Sequence, residues 1–111
     1  MGILVRGRVL YRERIALLPQ ALVDVRVMDV TDPSAPMLVG RTAFQAGGRQ
    51  VPIDFEVEVD PTLMDARSDY VVEANVYLDG RLTWAQARAA PVLTKGHPVE
   101  VELLLLRHLE P

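Results

Sequence analysis

Cysteine is absent from all 111 residues. That excludes disulfides, thiolate metal sites and thiol nucleophiles, and it fits an oxidising or a reducing compartment equally. Excess positive charge is absent too: the net charge is −3. A chain of this sign has no general affinity for nucleic acid or anionic membrane, which need a cationic surface. No apolar run approaches the roughly 18 residues of a membrane-spanning helix. Met1-Gly2-Ile3-Leu4-Val5 is too short for a signal-peptide core and is interrupted by Arg6. Arg6 also stands where an N-myristoylation signal needs Ser or Thr. The expected location is the periplasm or outer membrane if a leader was removed, and the cytoplasm if Met1 is the native start. Aromatic residues are scarce, at 5%.

What the chain has is alternation. Val51, Ile53, Phe55, Val57 and Val59 alternate with Pro52, Asp54, Glu56 and Glu58, the period of a strand with one buried face. Pro52 cannot donate to a ladder, which places it at a strand start or sheet edge. Runs at 3–11, 22–30, 37–44, 70–77 and 98–107 repeat the pattern, separated by Pro-, Gly- and Asp-containing turns. The expected fold is a single domain, 1–111, all-β: an antiparallel β-sandwich of about seven to eight strands. At most one helical turn is expected, near 61–66, where Asp60 offers an N-cap and Pro61 the first position.

Asp79-Gly80 marks a hairpin. A two-residue loop with a regular ladder leaves Trp84 on the polar face. A three-residue loop, Leu78-Asp79-Gly80, pairs Val76 with Leu82 and sets Trp84 beside Ala74 on the apolar face. Burying Trp84 is worth roughly 2 kcal/mol or more, which selects the three-residue loop.

Chemistry-bearing residues are few. His97 lies in a Gly-His-Pro turn and His108 near the chain end; Ser34 and Ser68 read as turn residues. Exposed loop histidines are the expectation, and no catalytic residue is assigned. Asp60, Asp65 and Asp69 cluster in sequence, but their irregular spacing without glycine is unlike a calcium loop, so no metal or other cofactor is assigned. Gly47-Gly48-Arg49 lacks the Lys-Ser/Thr of a phosphate-binding loop and reads as a tight connection. Arg6, Arg8, Arg12 and Arg14 form one basic stripe if their strand runs that far. Without interleaved aromatics they point to cross-strand carboxylates or an acidic peptide, not nucleic acid.

One anomaly remains. Leu103, Leu104, Leu105 and Leu106 make both faces of the last strand apolar, whereas an open sandwich leaves one face of each sheet wet. A loop, another copy of the chain or a partner helix must cover the outer leucines. Leu104 and Leu106 are therefore the expected contact residues for a protein partner or homo-oligomer, with Met28, and with Met37 and Val39 adding to the surface.

Three segments carry a resemblance: Gly7-Arg8-Val9-Leu10-Tyr11-Arg12-Glu13-Arg14-Ile15-Ala16-Leu17, Gly48-Arg49-Gln50-Val51-Pro52-Ile53-Asp54-Phe55, and Pro91-Val92-Leu93-Thr94. Together with Asp60-Pro61 and Asp79-Gly80 they resemble the YbaY/YscW family of bacterial lipoproteins, the type III secretion lipoprotein chaperone or pilotin family, over residues 7–107. The resemblance implies a non-enzymatic β-sandwich binding module held at the outer membrane through a lipidated cysteine. In the secretion branch it implies help for an outer-membrane secretin. The chain departs from the family in having no cysteine, and in Leu18-Pro19-Gln20-Ala21 where relatives tend to have Pro-Pro-Gly-Ala. The leading expectation is thus a protein-binding module of the bacterial envelope. The alternative is a small-molecule or glycan carrier, marked by an apolar pocket with Trp84 or Tyr77 at its mouth. An enzyme would need His97 or His108 to meet a carboxylate and a hydroxyl in a cleft.

Overall fold

The computed structural model describes residues 2–108; Met1, and with it the acylation reading, lies outside the described residues, as do 109–111. The strands follow in the order β1 (Ile3–Leu10), β2 (Leu22–Asp29), β3 (Met37–Gln45), β4 (Ile53–Val59), β5 (Tyr70–Leu78), β6 (Arg81–Gln86), β7 (Ala90–Val92) and β8 (Glu100–Arg107). The helical turn is a single 3-10 turn at Pro61–Leu63, where the Asp60 carboxylate accepts the Thr62 N–H at 2.9 Å.

Where alternation is regular, it sets the faces. β4 buries Ile53, Phe55, Val57 and Val59 and exposes the acids between them. Its ladder begins at Ile53, just after Pro52. β5 buries Tyr70, Val72, Ala74 and Val76. With Val5, Val9, Val23, Val25, Val27, Leu103 and Leu105 these make one core dominated by β-branched side chains, which pack well on pleated surfaces.

The arrangement of the strands differs from an antiparallel sandwich. All eight join in one mixed sheet, in the order β3-β2-β5-β6-β8-β1-β4, with β7 also on β5. β6 pairs with β8, so no gap separates two layers. β8 pairs parallel with β1, Arg6 opposite Glu100 through Leu10 opposite Leu104. The two ends of the path then return against each other: a Cβ at Gly40 of β3 would meet the Glu58 carbonyl of β4 at 2.8 Å. The sheet is rolled nearly into a barrel. Its wall is closest at Gly7, where any Cβ would overlap the backbone carbonyl of Val101 on β8.

The hairpin also differs from expectation. Leu78 pairs with Arg81, so the loop is the two residues Asp79 and Gly80. Both have positive φ, 51° and 80°, as a type I′ turn requires. Trp84 is nevertheless buried, because the ladder shifts from Tyr77–Leu82 to Val76–Trp84. Thr83 is the extra residue of a β-bulge, and its hydroxyl donates to the Val76 carbonyl at 2.9 Å. The bulge, not a longer loop, turns Trp84 inward.

The basic stripe is shorter than expected. β1 ends at Leu10, so Arg12 and Arg14 lie beyond the strand. Arg6 and Arg8 face carboxylates on both sides, Glu56 and Glu100 for Arg6, Asp54 and Glu102 for Arg8. Arg8 is ion-paired to Glu102.

Candidate functional site

The site is built at the barrel end where β1 and β8 finish together. After Leu10 the chain folds across this opening. Tyr11 tucks inward and stacks on Trp84, ring centroids 3.8 Å apart and planes 8° from parallel. Its hydroxyl donates to the Ile15 carbonyl. Burial, with the charge of Glu13, holds the Tyr11 phenol above its ordinary pKa, so it stays a donor. Gln50 clips the same loop, accepting the Leu17 N–H at 2.7 Å and donating to the Leu17 carbonyl at 3.1 Å. Arg49 donates to the carbonyls of Ala46 and Gln45 and lies over the Phe44 ring. Tyr11 and Gln50, both from the motif segments, therefore act as staples for the loop, while Arg49 ties down its own turn.

Between loop and barrel lies a groove of about 350 Å³, lined by Ile15, Leu17, Leu18, Leu78, Trp84 and Arg107, among others, with His108 at its edge. Ile15 and Leu18 are 41% and 49% exposed, large for such side chains. On the other face of β8, Leu104 lies beside Leu10 of β1 and Leu106 beside Ala85 of β6. Leu103 and Leu105 are sealed in the core, Leu104 is half-buried, and Leu106 is 50% exposed. The barrel thus seals the inner leucines and leaves the outer pair partly bare.

Met28 is elsewhere. It sits at the far end of β2, opposite Leu38 on β3 and Val71 on β5. β5 and β6 lie between its strand and the β8 leucines. Met37 is exposed, while Val39 is buried at a ladder irregularity and adds nothing to the surface.

Alternation placed Asp24 on the wet face, but it is 4% exposed. Arg41 grips it through Nε at 3.1 Å and an NH2 group at 2.9 Å; Arg26 does so at 3.3 Å through both. Burial alone would raise the carboxyl, yet the hydrogen bonds and charges of Arg41 and Arg26 outweigh it and hold the pKa below its ordinary value. A carboxyl lowered on folding stabilises the native state above the unfolded pKa, near 4, and this contribution fades as pH falls through the folded value. Breaking a buried pair costs about 3–5 kcal/mol; here both guanidinium ends are half in water, so Asp24→Asn is expected to cost about 1–3 kcal/mol at pH 7. The gap between variant and wild type should narrow as pH falls below about 4. Urea midpoints at pH 7, 4 and 2 check this. A gap that stays constant across the series contradicts the charge argument.

The remaining polar candidates do not converge. Asp60 is bonded to Thr62, Asp65 to Arg67 and Asp69 to Lys95. Ser34 bonds Asp32, and the Ser68 carbonyl accepts from Thr94. His97 and His108 are exposed on different segments, and among the described residues neither side chain meets a serine or a carboxylate.

The sequence places this rolled β-domain with its stapled loop in a family. Residues 3–105 match the type III secretion system lipoprotein chaperone family (YscW), and the chain belongs to that family. It is 26% identical over 93 residues to the uncharacterized lipoprotein YbaY of Escherichia coli (strain K12), covering 83% of this chain and 49% of YbaY. The chain thus spans about half the length of that relative. An alternative pilotin from the type II secretion system of Vibrio cholerae has the same architecture, with a TM-score of 0.94 and 29% identity over 99% of this chain and 100% of that one. The resemblance read from the Tyr11 and Gly48 segments is the correct one.

Proposed function

We propose that this domain is a non-catalytic, chaperone-like module of the bacterial envelope that docks a protein partner on the outer face of β8. The observation that carries the reading is the division within the leucine run: Leu103 and Leu105 are buried while Leu106 is half exposed beside a half-buried Leu104. The exposed part of this strip lies on a strand whose inner face is already full, so it is not needed to complete the core. It fits the rim of a hydrophobic contact. Met28, with Leu38 and Val71, offers a second apolar spot for a partner long enough to cross β2. Membership in a lipoprotein chaperone family and likeness to a pilotin support an outer-membrane secretion component as partner; a second copy of the chain is the other candidate.

Leu104→Ser with Leu106→Ser should leave the circular dichroism spectrum intact and cost about 1–2 kcal/mol of stability, since neither side chain is fully buried. Affinity for the purified secretin of the same bacterium should fall about tenfold or more in a biosensor assay. If only Met28→Ser lowers it, the contact lies on β2. Unaltered binding by both variants removes this face from consideration.

A second reading, a carrier for a small apolar ligand, is favoured by one observation: the groove at the barrel end has Trp84 in its lining.

A further inference from the structure

We infer that the groove between the Tyr11–Ala21 loop and the barrel end takes a single-chain fatty carboxylate, chain inward and head group at Arg107. This inference rests on the carrier reading and names its ligand class.

The groove wall is apolar: Ile15, Leu17, Leu18, Leu78 and Trp84. Its volume of about 350 Å³ equals roughly a dozen groups the size of a water molecule, room for a chain of about ten carbons. The floor is fixed in advance, because Trp84 is clamped face to face against Tyr11. At the rim, Ile15 and Leu18 are about half exposed and offer further apolar surface to a chain. Fixed floors and apolar walls are the usual build of a small-ligand site.

Two features choose the ligand. Among the described residues, the only ionisable groups lining the groove are Arg107 and His108, with no carboxylate among them. An anionic head is matched there, and a cationic or zwitterionic one is not. Several backbone polar groups around the groove are already bonded. Leu17 is held at both its N–H and carbonyl by Gln50. The Ile15 carbonyl accepts from Tyr11, and the Thr83 carbonyl accepts from the His108 N–H at 2.8 Å. The Thr83 hydroxyl is engaged with Val76. A peptide laid in the groove would find few partners for its amides, each costly to bury unpaired. A hydrocarbon chain has no such groups.

The test uses Trp84, the sole tryptophan of the chain, as reporter. Decanoate and, separately, decanol are titrated below their aggregation limits into the purified full chain, read by tryptophan emission and by calorimetry. Decanoate is expected to bind saturably at one site and shift the emission. Arg107→Gln is expected to weaken decanoate about tenfold, the size of one charge-assisted hydrogen bond, and to leave decanol unchanged. Leu104→Ser with Leu106→Ser should leave decanoate binding intact, which separates the groove from the β8 contact. Equal affinity for decanol and decanoate, or no effect of Arg107→Gln, overturns the carboxylate assignment and spares the carrier reading. Absence of saturable binding by either ligand overturns both.

Discussion

Gly7→Ala should be the most damaging single-methyl change in the chain. The added Cβ has nowhere to go, because the Val101 carbonyl occupies its position and a backbone atom cannot rotate aside. Either β8 moves off β1 or β1 bends, and both open the barrel. Overpacking in a closed core usually costs about 1–3 kcal/mol and sometimes more; a clash with backbone should sit at or above about 3 kcal/mol. Against a total of about 5–15 kcal/mol for a domain of this kind, that is a large share. Urea denaturation checks the value, and hydrogen exchange should show the loss of protection first at Arg6–Leu10 and Glu100–Leu104, the paired segments. A variant as stable as wild type would mean that β1 and β8 do not approach so closely.

Trp84→Ala is the second large effect. It removes the largest side chain of the barrel end from a site where it is 5% exposed and stacked on Tyr11. Tryptophan-to-alanine changes in cores cost about 3–5 kcal/mol, the spread reflecting how far the site collapses. Tyr11 loses its stacking partner at the same time, so the loop it anchors should loosen. Trp84→Phe keeps an aromatic face toward Tyr11 and should recover more than half of the loss. Thermal melts by circular dichroism measure both. If Trp84→Ala proves nearly neutral, the stack is a surface contact and the groove floor is not rigid.

How far the fold could be read from sequence varied by element. β4 and β5 were legible because one face of each is buried along its whole length, so polarity alone reports direction. The 3-10 turn was legible because Asp60 and Pro61 act locally. The barrel was not. Its closure depends on β1 meeting β8, strands near opposite ends of the chain, and no local pattern marks a parallel pairing between them. Gly7, which permits that approach, looks in sequence like one more alternating position. The hairpin loop length is hidden for a related reason: the size of Trp84 demands burial, but a bulge at Thr83 achieves it as well as a longer loop, and alternation cannot distinguish them. β7 is too short to show a period at all.

The site was legible in the same uneven way. Leu103 to Leu106 stood out because continuous apolarity breaks the alternation. Asp24 gave no signal, since an acid on an alternating strand reads as solvated. Its burial comes from Arg41 on the neighbouring strand reaching over it. The groove was legible only as a condition, an apolar pocket bearing Trp84, because the loop that roofs it is held by Gln50 from another segment.

The shared direction of β1 and β8 gives the molecule a polarity. Ile3 opens β1 at one pole, and Leu10 and Arg107 close their strands at the other, separated by roughly 25 Å at the usual strand rise. A membrane or any support gripping the polypeptide ahead of Ile3 would hold it by its base. The groove mouth and Leu106 would then face outward, toward whatever is to be met, without any reorientation of the domain.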